Sequence, residues 1–445
     1  IAMPESVGSS RVSVVVNTNG RLIGLTKLLE ALRRQWFGDF EVCVVCGPAP
    51  DGTRAFVAEQ AAAGILKGAV CDEANLSKSR NIGIALAAGS RVAFIDDDAL
   101  PEPVWLEQLL RGFDDPAVGA VSGLVFEPNG RDHQFRYSTC DRFGNSTHGL
   151  ARPGDVGAFP GSAHFPHVMG TNAVFAREAL VAVGGYDEEY DYYLDEADLC
   201  CRLIDAGHLI RQRADAPVHH KFLAGTVRDG EGIAVRHLPI LKNRLYFALI
   251  NGRDHAPLPT ILAEFLSYAD THRRQIADHV AAGRLHLAAI EAFETYLERA
   301  CEIGLTRGLT GRRRPTSVRL DRPPAFLAFP TDRRPAGGVR HRVVVATETE
   351  MWGDDFVRLS GLVKRLGTDG AFVRVLVGCR SRGFENAGVD LVEGMWVQRH
   401  MVPTQADPAA TESADALADA AAEIARIGRY DPIDEVERAS AHRLG

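Results

Sequence analysis

Apolar runs and helical stripes alternate along the first half of the chain. Residues 11–16, RVSVVV, form a β-branched run of the kind that makes a central parallel strand. Turn-forming residues follow at Asn17-Thr18-Asn19-Gly20-Arg21, and Leu25, Leu28, Leu29 and Leu32 then recur at helical spacing within 22–36. A second strand is expected at 40–45, a Gly/Pro turn at 47–53 and an Ala-rich helix at 53–63. This β-α-β-α order predicts an α/β fold with a doubly wound, Rossmann-like sheet, whose ligands sit at the carboxyl ends of the strands.

A third apolar run, Val92-Ala93-Phe94-Ile95, empties into Asp96, Asp97 and Asp98, and Pro101 and Pro103 close the stretch. Adjacent anions repel and are costly to desolvate, so a cation or a hydrogen-bonding ligand is expected to offset them. Hard oxygen donors favour Mg²⁺ or Mn²⁺, ions that also bind substrate phosphates. A solvated acidic turn is the plainer alternative. Just upstream, Asn75 or Ser77 can cap a helix that carries Lys78 and Arg80. These cations are read either as solvated helix charge or as groups facing phosphate at a helix amino terminus.

The succession NTNGR, CGPAPDGT, NLSKSRNIG and FIDDDALPEPVWLEQL resembles the nucleotide-sugar half of the inverting GT-A glycosyltransferases, the family 2-like enzymes of glycan assembly. The resemblance implies a DxD motif at Asp96-Asp97-Asp98. Asp96 would approach the ribose, Asp98 would hold a divalent ion on the diphosphate, and Asp97 fills the variable position. Thr18 and Arg21 would lie near base and diphosphate. Cys46 stands where members often carry an acid or Asn. Further on, a G-x-N strand (Gly170-Thr171-Asn172), a GGYDE turn (184–188) and Asp195-Glu196-Ala197-Asp198-Leu199 match the family's acceptor side. Members usually have Glu-Asp there; with the order reversed, Glu196 falls on the base position beside Asp195. An alcohol nucleophile needs such a base. Asp198 and Arg202, four apart, form a plain helix ion pair in the alternative view. After the last core strand the resemblance implies a metal-touching His, and His219 is chosen over His220.

The remaining chain is expected to divide simply. The transferase domain spans 1–254. A helical extension covers 255–307, an Arg/Pro-rich solvated linker 308–339, and a small α/β unit 340–445 that resembles the first half of a GT-B (family 4-like) enzyme. In that last unit strands are expected at 341–347, 371–377 and 393–397, and helices at 355–366 and 414–427. The 131–165 stretch, rich in Gly, His and Arg, reads as a long loop.

With 50 Lys+Arg against 58 Asp+Glu, the chain has no basic footprint for nucleic acid. Its eight Cys show no metal-ligand spacing and read as buried free thiols of a reducing cytoplasm. No stretch is apolar enough to span a bilayer, while the Arg clusters leave a peripheral membrane contact open. The expected function is metal-dependent, inverting transfer of a sugar from a nucleoside-diphosphate-sugar to a hydroxyl on a glycan or lipid-linked glycan. A catalytically silent scaffold and a nucleotidyltransferase are the rivals.

Overall fold

The structure is a computed structural model that describes residues 10–128, 130, 132–152, 158–223, 225, 227–229 and 232–332, with five strands between 341 and 439. In chain order its elements are β1 (Val12–Thr18), α1 (Leu22–Arg33), β2 (Phe40–Cys46), α2 (Thr53–Ala62), β3 (Lys67–Val70), α3 (Leu76–Leu86), β4 (Arg91–Asp96), β5 (Ala99–Pro101) and α4 (Trp105–Leu110). Next come β6 (Val118–Ser122), β7 (Val125–Phe126), β8 (His133–Phe135), β9 (Thr139–Asp141), β10 (Ser146–Thr147), β11 (His164–Pro166), β12 (Ala173–Ala176) and α5 (Arg177–Ala182). The unit closes with α6 (Asp195–Asp205), β13 (Leu209–Gln212), β14 (Val218–His220) and α7 (Leu238–Asn251).

The main sheet has the order β13-β6-β12-β4-β1-β2-β3. Its β4-β1-β2-β3 half is parallel, and β12 runs antiparallel between β4 and β6. Alternate residues of each strand feed opposite layers. Val15, Phe94 and Phe175 pack on one side with α3, α5 and α6. Val14, Val16, Ala93, Ile95 and Val174 pack on the other with α1 and α4. Each fully buried Phe of this kind contributes about 1.5–3 kcal/mol. The result is a mixed α/β sheet covered by helices on both faces. Unforeseen in the sequence was β3, a short edge strand with only alternate residues half-covered.

Two expectations are corrected. The 131–165 stretch is not one long loop: β8 joins β7 in a second sheet, β5-β14-β7-β8, and β9, β10 and β11 form a third. Their strands are two or three residues long, too short for a readable alternation. The segment 309–332 is not a solvated linker either. Leu320 enters one core layer and Phe329 the other. The Phe329 N–H donates to Phe40 O at 2.8 Å, and the Leu327 N–H to Glu41 Oε2 at 2.8 Å. Arg313 pairs with buried Asp198, so the Arg-rich composition serves as a strap rather than a spacer.

Helices α8 (Leu258–Ala281) and α9 (Ala288–Gly308) form the extension. They share an apolar cluster with α7 through Leu245, Leu249, Phe265 and Phe293. The carboxyl-terminal strands are β15 (His341–Ala346), β16 (Phe372–Cys379), β17 (Gly388–Val392), β18 (Met395–Met401) and β19 (Val436–Ala439). They make a sheet of order β17-β18-β16-β15-β19. The helices expected at 355–366 and 414–427 lie outside the described residues.

Candidate active site

Parallel pairing of β1 with β4 puts Asn17 opposite Asp96, so both strands end at the same level. The acid triplet leaves the sheet there. Antiparallel pairing of β5 with β14 then folds His220 over Ala99, back onto the triplet. The result is a cluster in which ligand atoms of Asp96, Asp98 and His220 all lie within 4.8 Å of one another. His220 Nε2 is 3.2 Å from Asp98 Oδ1 and 3.9 Å from Asp96 Oδ2.

This corrects the choice of His219. Successive residues of a strand point to opposite faces. His219 turns away to meet Glu102 Oε1 at 2.9 Å and stacks on Phe126. Alternation in the sequence shows that the two imidazoles diverge. Only the β5–β14 pairing decides which one meets the acids.

Each acid has a distinct environment. Arg21 Nη1 lies 3.0 Å from both Asp97 Oδ1 and Asp98 Oδ2, and its Nη2 donates to Leu223 O at 2.9 Å. The Leu223 N–H donates to Asp98 Oδ2 at 2.8 Å, so the Leu223 backbone is held to the triplet directly through its N–H and by way of Arg21 through its carbonyl. Burial pushes the Asp98 carboxyl up, but His220, Arg21 and the Leu223 N–H outweigh it and hold it down at about 2. Burial dominates at Asp97 and raises it to about 6 despite Arg21. Asp96 is also raised by burial, against the pull of His220. Its side chain is 35% exposed, against 2% for Asp98, so Asp96 is the open edge of the cluster. Thr18, at the end of β1, is buried with its hydroxyl against Asp97.

The second constellation sits at the amino terminus of α6. Tyr193 and Leu194 both have positive φ, 77° and 65°, a strained pair that turns the chain sharply into the helix. It sets Asp195 and Glu196 against Arg80 from α3. Arg80 Nη1 pairs with Asp195 Oδ2 and lies 2.9 Å from Glu196 Oε1. Its ring neighbours are Phe94 and Tyr186. Arg80 is 2% exposed, so it is neither solvated helix charge nor an open phosphate contact: it neutralises the acid pair. Burial drives Asp195 well above the ordinary carboxylate range. In Glu196 the guanidinium and the neighbouring Asp195 outweigh burial and hold the group below its usual value. Glu196 therefore stays ionised at neutral pH and keeps an exposed edge, whereas Asp195 is enclosed.

The two constellations lie within electrostatic reach of one another, since Asp96 feels both Arg80 and Glu196. Gly170 makes room for the second. A Cβ there would overlap Glu196 Oε1 and Arg80 Nη2. The sequence had placed Gly170 only within a strand motif. Asn172, from the same motif, is a staple: it accepts from Trp105 Nε1 at 2.8 Å and donates to Leu124 O and Ala216 O.

Lys78 is not part of the cluster. Its Nζ pairs with Glu73, and its backbone N–H donates to Asn75 Oδ1, the α3 cap. Asp198 is buried and paired with Arg202 at 2.9 Å, as the helix-pair reading expected. Cys46 is buried at the end of β2 and raised to about 11 by desolvation, which makes it a weak hydrogen-bond partner.

Residues 13–184 match the family model for glycosyl transferase family 2. Among curated proteins, the chain is 31% identical over 227 residues to the pre-mycofactocin glycosyltransferase of Mycobacterium tuberculosis, covering 49% of this chain and 44% of that protein. It is 30% identical over 168 residues to the glucosyl-dolichyl phosphate glucuronosyltransferase of Haloferax volcanii, covering 34% of this chain and 50% of that one. The chain thus spans half or less of the length of these relatives. Among solved structures it is similar to the mannosyltransferase of Pyrobaculum calidifontis in complex with GDP-Man and Mn²⁺, at 20% identity, TM-score 0.41, and 66% and 87% coverage of the two chains. It is also similar to S. aureus TarS 1–349, at 17% identity, TM-score 0.41, and 66% and 84% coverage. The resemblance of the carboxyl-terminal unit to a GT-B half finds no support in these matches. The family match runs from β1 through α5 and takes in the acid triplet.

Proposed function

We propose that the protein is a metal-dependent, inverting glycosyltransferase that moves a sugar from a nucleoside-diphosphate-sugar to a hydroxyl acceptor in glycan assembly. The observation that carries this reading is the meeting, within electrostatic reach, of a two-carboxylate-plus-imidazole cluster and an ionised, partly exposed Glu196.

The cluster suits a divalent ion. Asp98 Oδ1 is buried and makes no well-formed hydrogen bond to a described residue, which is costly unless something else satisfies it. Two hard oxygens and one imidazole match Mn²⁺, with Mg²⁺ the alternative. Asp96, Asp98 and His220 would hold it. When bound, such an ion supplies positive charge to the phosphate oxygens that become more negative as the sugar–phosphate bond breaks. Arg21 and the Leu223 peptide keep Asp98 oriented for that task. Thr18 and Asp97 line the donor side, with Asp96 presenting its exposed edge to the ribose.

Glu196 accepts the proton from the acceptor hydroxyl. The freed oxygen pair forms the new bond to the anomeric carbon, and the pair of the breaking C–O bond leaves with the nucleoside diphosphate. Displacement from the opposite face inverts the centre. Arg80 keeps Glu196 ionised, and buried Asp195 keeps Arg80 in place. The acceptor is a glycan or a lipid-linked glycan. Among the described residues no helix is long and apolar enough to cross a membrane. The unpaired thiols, such as Cys43, Cys200 and Cys201, fit the cytoplasmic side.

The test compares two variants by thermal shift against a panel of nucleotide-sugars, with and without Mn²⁺, and by turnover. Asp98→Asn is expected to lose the Mn²⁺-dependent stabilisation by donor. Glu196→Gln is expected to keep it and to lose turnover. Wild-type turnover in Glu196→Gln would refute the assignment of the base.

A further inference from the structure

A groove of about 390 Å³ lies between Arg228, residues 232–237, the start of α7 and one face of α8. Arg228, His237, His272, Gln275, His279 and Arg284 line it, and no carboxylate does among the described residues. That is unusual for a chain with a formal net charge of −8. Neither Arg228 nor Arg284 forms an ion pair with a described carboxylate. Arg228 Nη1 instead donates to Gly232 O at 3.2 Å. His279 Nδ1 is buried in the groove wall with no hydrogen-bond partner among the described residues. A buried polar atom without a partner points to an occupant that supplies one. His237 is 6% exposed and packs edge-on against His272 and Phe293, so the imidazole wall is a fixed surface.

The groove adjoins the reaction space. Arg228 donates to the Tyr192 hydroxyl, which also feels the charges of Asp96 and Glu196. Tyr192 thus links the groove to the space that Asp96 and Glu196 share, while none of the cluster acids lines the groove itself. Guanidinium, imidazole and amide donors converging from three segments suit a tetrahedral oxyanion with several acceptor oxygens, and a guanidinium binds such a group in a two-pronged fashion.

We propose that this groove binds the phosphate of an anionic acceptor and so positions the acceptor hydroxyl beside Glu196. The proposal rests on the glycosyltransferase reading above and deepens it by naming the acceptor's charge. The phosphate is either that of a lipid carrier or that of a soluble phosphorylated sugar, and the chemistry at the groove is shared.

The test uses the full chain without divalent metal, so that the acid cluster cannot hold phosphate. Binding of glucose 1-phosphate is followed by calorimetry, and binding to phosphatidylcholine vesicles doped with a polyprenyl phosphate by co-flotation. Arg284→Gln and His272→Gln, the first at an exposed position, are compared with wild type. Each should weaken binding by about tenfold or more, the effect of losing one charge-assisted hydrogen bond. Mn²⁺-dependent donor stabilisation should be unchanged in both. Binding of the soluble phosphate, or of the vesicles alone, tells which source is used; either supports the groove. Wild-type affinity in both variants overturns the proposal, as does wild-type protein that binds neither probe. If donor stabilisation is missing in wild type, the donor-site reading fails, and the phosphate measurement still decides the groove.

Discussion

Gly170 gives the sharpest handle on the site, because its substitution reaches the acid pair without replacing a charged residue. Its backbone is not in the left-handed region, so Ala is allowed there conformationally. The added methyl would overlap both Glu196 Oε1 and Arg80 Nη2, so both must give way. Arg80 is enclosed by Asp195, Phe94 and Tyr186, whereas Glu196 has an exposed edge. Arg80 can therefore yield little, and Glu196 is displaced farther, by about an ångström. Overpacking of this kind costs about 1–3 kcal/mol of stability. Misplacing a reacting group by about 1 Å costs on the order of 10² in rate. Gly170→Ala is thus expected to fold, to retain Mn²⁺-dependent donor stabilisation, and to turn over about 10²-fold more slowly, with the donor KM little changed. Thermal shift and steady-state transfer at saturating donor measure these quantities. Combined with Glu196→Gln, the substitution should add almost no further loss, since both remove the same interaction. Wild-type turnover in Gly170→Ala, or full additivity in the double variant, would refute the placement of the base.

Three further outcomes follow from the same geometry. His220→Asn should weaken Mn²⁺ binding by at least about tenfold, the effect of losing one strong ligand, whereas His219→Asn should leave it unchanged and lower only thermal stability; calorimetric titration with Mn²⁺ separates them. His167 is buried and burial depresses it to about 3, so the folded state binds fewer protons than the unfolded state between that value and about 6.5. Stability should therefore fall as pH drops through that window, by up to about 1.4 kcal/mol per pH unit, and His167→Phe should flatten that slope in denaturant melts. Arg313→Ala removes the strap's cation from Asp198, which keeps Arg202; a loss of about 2 kcal/mol is expected in urea unfolding, with the donor-binding response to Mn²⁺ retained.

What the sequence determined by itself is the sheet and the chemistry at its ends. Runs such as 14–16 and 92–95 have no polar interruption, so they must be buried on both faces, and the helical stripe at 25–32 must cover one of them. An acid triplet directly after such a run announces a ligand site, because local order alone puts it at a strand's carboxyl end. Pairing between distant segments decided the rest. Whether His219 or His220 meets the acids depends on the register of β14 against β5, residues more than a hundred positions apart in the chain. Arg80 looked like a phosphate ligand because nothing local shows that α6 delivers Asp195 to it. The Arg-rich 309–332 segment looked solvated because its partners, Asp187, Asp198 and Phe40, belong to other elements. Local pattern fixes which residues must be buried or charged. Which opposite charge each one finds is a property of the closed chain, where a buried ion persists only beside a partner that the tertiary structure brings to it.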